Sequence, residues 1–570
     1  MDKRIAFVKI LFIVGFAIVL VRLFYWQVVK SSELSVEARN QYNSGNIIKS
    51  LRGEILSSDK SWLVARSDVW KVYASIPSLD METGKLADKL APYFVEPIES
   101  EADEKDLLNE SARLKKVLNR GGVWVLLQDR ISDDTRKRIE ALGLSGIEFE
   151  QEEGRIYPEA SSAAHLLGFL GQDAEGNNLG YFGLEGYYDT SLSGREGYSY
   201  YEKDASGLPI LLGQNRQISA IHGVNLLTGI DKTIQLRLNS KLQDGMSKYG
   251  AQEVTGIILE PRTGKILAMS SFPSYDPSKY YNFDDSLFKD PAISSSFEPG
   301  SIFKVIVMAA GLDSGVIKPD TKCDICSGKL VIGEYSVRTW NNEYRPNSTM
   351  VDVIVNSDNV GMSFVGRKLG EGRLRDYLEK FGIGQKTGID LQGEMTPKLR
   401  DKWSEIDVAT ASFGQGIAVT PIQMINAVGA IANNGIIVKP HIVEKIVGDN
   451  WEEDVKTDSG ERVISEKAAR EVTAMMVEAA KNGEAKWTYQ KGLKVAGKTG
   501  TAQIPIEGHY DEEKTIASFI GFAPYDNPRF LMLITLKEPS TSPWASETAA
   551  PLWYSMARDL YVYMGLQPED

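Results

Sequence analysis

Apolar residues run almost without a break from position 10 to position 29, interrupted by Arg22 and Gln27 and preceded by Lys3, Arg4 and Lys9. A helix of that length crosses a bilayer. The leading cations, and Tyr25 and Trp26 at the far end, suit an uncleaved anchor that keeps residues 1–9 in the cytoplasm and lets Arg22 snorkel to the outer interface. A cleaved signal peptide is the competing reading, because residues 10–21 alone match its apolar core; no clear small-x-small cleavage site is present.

Beyond the anchor the pattern is mixed up to about position 223. Short β-rich runs at 70–76 and 122–127 alternate with charged, helix-like stretches at 104–118 and 133–144, and the acidic run 96–110 reads as a solvated loop and helix face. Turn-rich clusters punctuate the region: Arg52-Gly53-Glu54-Ile55, Arg155-Ile156-Tyr157-Pro158, Ala164 to Gly168, and Gly180 to Gly197 with Gly183-Leu184-Glu185 and Arg195-Glu196; an arginine and a glutamate near such turns can form a buried or interfacial pair. His165 reads as a structural histidine. From about Asn225 the texture becomes α/β: a helical run ends at Tyr249, and two apolar strands at 254–259 and 265–270 flank the hairpin signal Pro261-Arg262-Thr263-Gly264. More strand-like sequence follows at 517–522 and 530–536.

Composition narrows the picture. The 570 residues, 42% hydrophobic and 25% charged, suit two or three ordered domains. A formal net charge of −13 without a polybasic run argues against a nucleic-acid partner. The four histidines are scattered and the two cysteines, Cys323 and Cys326, stand alone, so neither a metal nor another cofactor is expected; the Cys-x-x-Cys spacing fits a redox pair or a short disulfide, with a local structural role preferred.

The candidate chemistry starts at Phe297-Glu298-Pro299-Gly300-Ser301-Ile302-Phe303-Lys304, where a turn-prone approach enters an apolar helical segment. One helical turn separates Ser301 from Lys304, so a neutral lysine amine would neighbour the hydroxyl and take its proton. Ser-x-x-Lys is a weak pattern that recurs at Ser57 to Lys60 and Ser286 to Lys289. The ordered company is what selects Ser301: Ser357-Asp358-Asn359 and then Lys498-Thr499-Gly500-Thr501-Ala502 follow in the order used by penicillin-recognising serine enzymes. No histidine lies in any of these motifs, so a Ser-His-Asp relay lacks sequence support and Lys304 is the economical base, its charge disfavoured by partial burial and by Lys498. An edge strand carrying Lys498 to Thr501 would lie beside the serine, with Gly500 admitting a substrate backbone and the Thr499 and Thr501 hydroxyls meeting a terminal carboxylate. A second Lys-Thr-Gly, Lys386 to Gly388, sits in a Gly-rich turn and is assigned to structure, as are Gly414-Gln415-Gly416 and the Thr420-Pro421 segment.

Taken together, the anchor, Arg52-Gly53-Glu54-Ile55, Arg155-x-Tyr157-Pro158, the Gly183-Leu184-Glu185 region and the three catalytic motifs resemble a class B penicillin-binding protein, a monofunctional peptidoglycan D,D-transpeptidase, over almost the whole chain. The sequence departs from that pattern at Ser57-Ser58-Asp59-Lys60-Ser61, where Asp-Arg-x-Gly is usual.

The resemblance implies an α/β (α+β) transpeptidase domain over 224–570, with an antiparallel sheet flanked by helices. It is preceded by a mixed α+β non-catalytic pedestal over 30–223 and a transmembrane anchor over 10–29 that leaves the catalytic domain outside the inner membrane. It further implies catalytic roles for Ser301, Lys304, Ser357 and Lys498, and substrate-binding roles for Asn359, Thr499, Gly500 and Thr501. The backbone N–H groups of Ser301 and Thr501 would form the oxyanion hole, and Asp358 would only shape its turn. Stem peptides and β-lactams are the implied ligands. The Ala496-to-Gln503 stretch is most similar to septal members, which implies a polytopic glycosyltransferase and other division proteins as partners. A D,D-carboxypeptidase, a serine β-lactamase-like hydrolase, a penicillin-sensing receptor and a non-enzymatic scaffold are the rival readings.

Overall fold

The computed structural model describes residues 2–34, 43–95, 101–202, 215–456, 459–506 and 509–568. The chain folds as two units, residues 1–53 with 193–224 and residues 54–192 with 225–570.

The first unit contains the helix Asp2–Phe24, continued by a π turn at Tyr25–Val29. Among the described residues, Arg4–Val29 is the one helix long and apolar enough to cross a membrane, and its side chains are exposed. Arg22 lies over the Trp26 ring, 5.6 Å from its centroid, so the charge interrupting the apolar run has an aromatic neighbour. Three strands, Asn43–Ile48, Gly197–Glu202 and Asn215–Ile218, pair antiparallel in the same unit.

In the second unit, the 70–76 run is the end of a longer strand, Trp62–Ser75, which pairs with Trp124–Ser132 and Ile147–Ile156. The helix expected at 104–118 spans Glu101–Leu118, its residues 105 and 106 exposed; positions 96–100 of the acidic run lie outside the described residues. The helix expected at 133–144 stops at Glu140, because Gly143 and Gly146 take left-handed conformations, φ 61° and 79°, that turn the chain back into a strand. Arg155 and Glu185, from two of the turn-rich clusters, form a buried ion pair, 2.9 Å apart with side chains 2% and 0% exposed. His165 is buried, with its ring Nε2 2.9 Å from the Leu287 carbonyl oxygen. Cys323 and Cys326 form a disulfide.

The remainder of this unit frames the site. Helix α1, Lys232–Tyr249, starts where the Asp231 carboxylate accepts from the Thr233 and Ile234 amides. Strands β1, Glu253–Leu259, and β2, Ile266–Phe272, form the predicted hairpin. Helices α2, Lys304–Asp313, α3, Asn359–Lys380, α4, Pro421–Ala432, and α5, Glu466–Asn482, follow. Strands β3, Ala496–Ile506, β4, His509–Ala523, and β5, Phe530–Lys537, and helix α6, Ala549–Tyr563, complete it. The five strands lie in the order β2-β1-β5-β4-β3, all pairs antiparallel.

Successive strand side chains point to opposite faces, and here both faces are covered. Ile257, Leu531 and Leu533 pack with the α2 to α5 side, whereas Ile258, Met532 and Ile534 pack with α1 and α6, where Trp553 is fully buried. This explains why β1 and β5 read as unbroken apolar runs. Every residue of α2 from Lys304 to Leu312 is buried.

Candidate active site

Two glycines set the position of the serine. Gly300 has φ +54°, its N–H donates to the Gly414 carbonyl oxygen at 3.0 Å, and a Cβ on Gly414 would sit 2.1 Å from the Gly300 oxygen. The assignment of Gly414 to scaffolding therefore holds in a specific sense: it clamps the turn before Ser301. The chain then makes a 3₁₀ turn, Gly300–Ile302, and enters α2 at Lys304. Ser301 is half-buried and lines a small cavity of about 70 Å³ with Asn359, Gln415, Glu484 and Thr501. Trp340 and Trp544 also line it, their rings 5.5 Å apart and edge-on.

Lys304 is wholly buried, and its amine donates to the Ser357 carbonyl oxygen at 2.5 Å, Ser357 Oγ at 3.2 Å and Asn359 Oδ1 at 2.7 Å. Among the described residues no hydrogen bond joins it to Ser301 Oγ, although the one-turn spacing makes the two residues neighbours. The reason is competition: the Ser-Asp-Asn turn offers three oxygens to a desolvated amine. Lys498, 3% exposed, donates to the same Ser357 Oγ at 3.1 Å and to Thr499 O at 3.1 Å. One hydroxyl thus bridges two lysines.

The Ser-Asp-Asn turn is shaped for that bridge. Ser357 has φ +55°, a conformation costly for a residue with a side chain, which marks it as a strained position. Asp358 caps α3 by accepting from the Val360 and Gly361 amides at 2.8 and 3.2 Å, in keeping with the turn-shaping role assigned to it. Asn359 opens the helix, and its Nδ2 donates to the Arg338 carbonyl oxygen at 3.0 Å.

Burial is the main cause that lowers the Lys304 amine to about 7, and the Lys498 charge pushes the same way; Glu484 and Asp358 oppose it. Burial likewise lowers Lys498, against the opposing pull of Glu484. A lysine half neutral near pH 7 is fit to take a proton.

Strand β3 is the edge of the sheet, with Lys498 opposite Ile520 and Gly500 opposite Ser518 on β4. A Cβ at Gly500 would lie 3.0 Å from Ile302 N and 3.1 Å from Pro299 O, so the serine turn itself requires a small residue here. Thr499 Oγ1 donates to Glu484 Oε2 at 2.9 Å, which occupies the proton expected to meet a carboxylate; Thr501 Oγ1 accepts from Ala545 N at 3.0 Å and keeps its own.

The decoys fall elsewhere. Ser57 is buried and donates to Asp59 Oδ1 at 2.5 Å while Lys60 is exposed, and Ser286 and Lys289 are both exposed. Thr387 of the second Lys-Thr-Gly is held by Glu394, its N–H at 2.6 Å and Oγ1 at 2.7 Å from Oε1. Gln415, expected to be scaffold, lines the cavity, as do Glu484, Trp340 and Trp544, which belong to none of the sequence motifs.

Comparison with known proteins gives the family. Residues 254–558 match the penicillin binding protein transpeptidase domain, and residues 47–228 match the penicillin-binding protein dimerisation domain. The chain is a class B penicillin-binding protein. It is an enzyme of the serine transpeptidase type, and its class of activity is peptidoglycan D,D-transpeptidation. It is 31% identical to stage V sporulation protein D of Bacillus subtilis over 99% of this chain and 86% of the relative. It is 29% identical to peptidoglycan D,D-transpeptidase FtsI of Escherichia coli over 80% of this chain and 75% of the relative. In fold it is similar to penicillin binding protein 3 of Mycobacterium tuberculosis, solved in complex with aztreonam, with TM-score 0.70, 24% identity and coverage of 92% and 98% of the two chains.

Proposed function

We propose that the chain cross-links stem peptides through an ester on Ser301. The observation that carries this reading is the buried Lys304 amine, tied through Ser357 Oγ to Lys498 beside the half-buried serine. Ser301 Oγ attacks the penultimate D-Ala carbonyl as its proton passes to Lys304, with an ordered rotation of the amine out of its Ser357 and Asn359 bonds. The oxyanion is held by the Ser301 and Thr501 N–H groups. Collapse breaks the peptide bond, and the terminal D-Ala leaves with a proton relayed through Ser357. The amine of a second strand then attacks the ester, forms the new amide and returns a proton to Ser301. Asn359 orients the donor amide, and Thr499, Gly500 and Thr501 line its terminal end.

In this reading residues 1–9 are cytoplasmic, 10–29 anchor the chain in the inner membrane, 30–223 form the pedestal and 224–570 work outside the membrane. The role is in septal wall synthesis beside a polytopic glycosyltransferase, in line with the likeness to the Escherichia coli protein. β-Lactams acylate the same serine, as the aztreonam complex of the fold relative suggests by analogy.

The test is fluorescent-penicillin labelling and intact-mass analysis of the full-length detergent-solubilised chain. Labelling is expected to vanish in Ser301→Ala and persist in Ser57→Ala and Ser286→Ala; retention in Ser301→Ala overturns the reading. Product analysis with a supplied amine separates transfer from a carboxypeptidase or β-lactamase-like hydrolysis, and imaging of a tagged copy tests the septal role.

A further inference from the structure

Glu484 lies in the loop that follows α5, fourteen positions before Lys498, and the motifs of the family resemblance give it no role. Yet it lines the cavity that holds Ser301, Asn359 and Thr501. Its Oε2 accepts from Thr499 Oγ1 at 2.9 Å. A threonine hydroxyl has one proton and two lone pairs. Here the proton goes to Glu484, and Lys498 Nζ donates to the oxygen at 3.3 Å. An incoming carboxylate is acceptor-only, so Thr499 has nothing left to offer it. Thr501 is in the opposite state, since its oxygen takes the Ala545 N–H and, among the described residues, its proton goes to no acceptor.

Charge acts in the same direction. The cavity that must receive the anionic end of a donor peptide already contains an anion. The Glu484 charge acts on Lys498 on β3 and on Lys304 on α2, and Lys304 also feels Asp358 at the start of α3, whose Oδ1 accepts from two helix amides.

We propose that Glu484 is a specificity-determining residue for the donor: it withholds the Thr499 proton and sets a charge against the donor's terminal carboxylate, leaving that group to Thr501. The enzyme therefore discriminates among donors by the charge at their C-terminal end, and acylation by carboxylate-bearing donors runs below the rate the pocket would otherwise support. The inference rests on the Ser301 acyl-enzyme reading and adds no chemical step to it.

Two thioester donors test it on the full-length chain: N-benzoyl-D-alanyl-thioglycolate and its carboxamide, identical except for the terminal charge. Thiol release is followed at pH 8.5, where Lys304 is mostly neutral in every variant. Glu484→Gln removes the charge and keeps an acceptor for Thr499, whereas Glu484→Ala removes both. The ratio of kcat/KM for carboxylate over carboxamide is expected to rise roughly fivefold in Glu484→Gln and on the order of tenfold in Glu484→Ala, as is usual for losing one unfavourable contact to a charged group. The pH midpoint of carboxamide turnover should also move down, because the acid that favours charged Lys304 is gone. An unchanged ratio in both variants, or an equal fall for both donors, overturns the proposal. Thiol release that survives Ser301→Ala would instead sink the acyl-enzyme reading, so the two failures are told apart.

Discussion

The tripeptide Lys-Thr-Gly occurs twice, at Lys386–Gly388 and Lys498–Gly500, and the two copies share more than their letters. In each, the threonine hydroxyl donates to a glutamate, Glu394 at 2.7 Å or Glu484 at 2.9 Å. The lysines part company. Lys386 is exposed on a turn closed around Glu394, whereas Lys498 is buried on a sheet edge and shares Ser357 with a second buried lysine. Water screens the first charge; nothing comparable screens the second, so its field reaches Lys304. Reactivity in this chain is thus conferred by where a triplet is buried and what it faces.

That contrast can be broken at its strongest point by deleting the amines. Lys304→Ala should slow penicillin acylation on the order of 10²–10⁴-fold, the usual worth of a positioned base, and Lys498→Ala by a comparable factor, while Lys386→Ala stays within about twofold. Stopped-flow acylation rates decide it, and a large loss in Lys386→Ala would erase the distinction. Next in size is the pH profile. Acylation should rise with pH through about 7 as Lys304 loses its proton. Lys498→Met removes the charge that repels that proton, so the midpoint must move to higher pH; a fixed or lower midpoint would show the two lysines to be uncoupled.

A smaller effect sharpens the comparison at the glycines. Gly500→Ala forces a methyl against Ile302 N and Pro299 O and should displace the serine turn, lowering acylation about tenfold with a modest fall in melting temperature. Gly388→Ala, at φ +75°, should cost about 1 kcal/mol of stability with acylation untouched. Of similar size is Thr387→Val, which removes the hydroxyl's bond to Glu394 and its bond from the Ile389 amide: about 1 kcal/mol in chemical denaturation and no change in labelling.

Much of the site was readable because it is built from local motifs. The turn before Ser301, the Asp358 cap and the apolar strands declare themselves in a few consecutive residues, and the strand carrying Lys498 lies at the sheet edge, as its motif led one to expect. The hydrogen bonds of Lys304 were not readable, since they depend on a turn 53 positions away that competes with the serine one helical turn back. Glu484 escaped for a related reason: it belongs to no periodic pattern and reaches Thr499 only because α5 delivers its loop beside β3. Trp340 and Trp544 meet across some two hundred residues of chain, a distance no spacing rule covers. Where glycines outweighed helical composition, at Gly143 and Gly146, the expected helix was too long.

The burial of α2 has a consequence for how this enzyme can change. From Lys304 to Leu312 every residue of that helix is shut away from solvent, so the floor beneath Ser301 is continuous with the interior of the molecule. Any substitution there alters packing throughout the surrounding helices and is paid for in the folded population before it is felt as altered selectivity. Variation that retunes the pocket is therefore confined to its rim, to loop positions such as Trp340, Glu484 and Trp544, where inheritance can experiment while the foundation stays still.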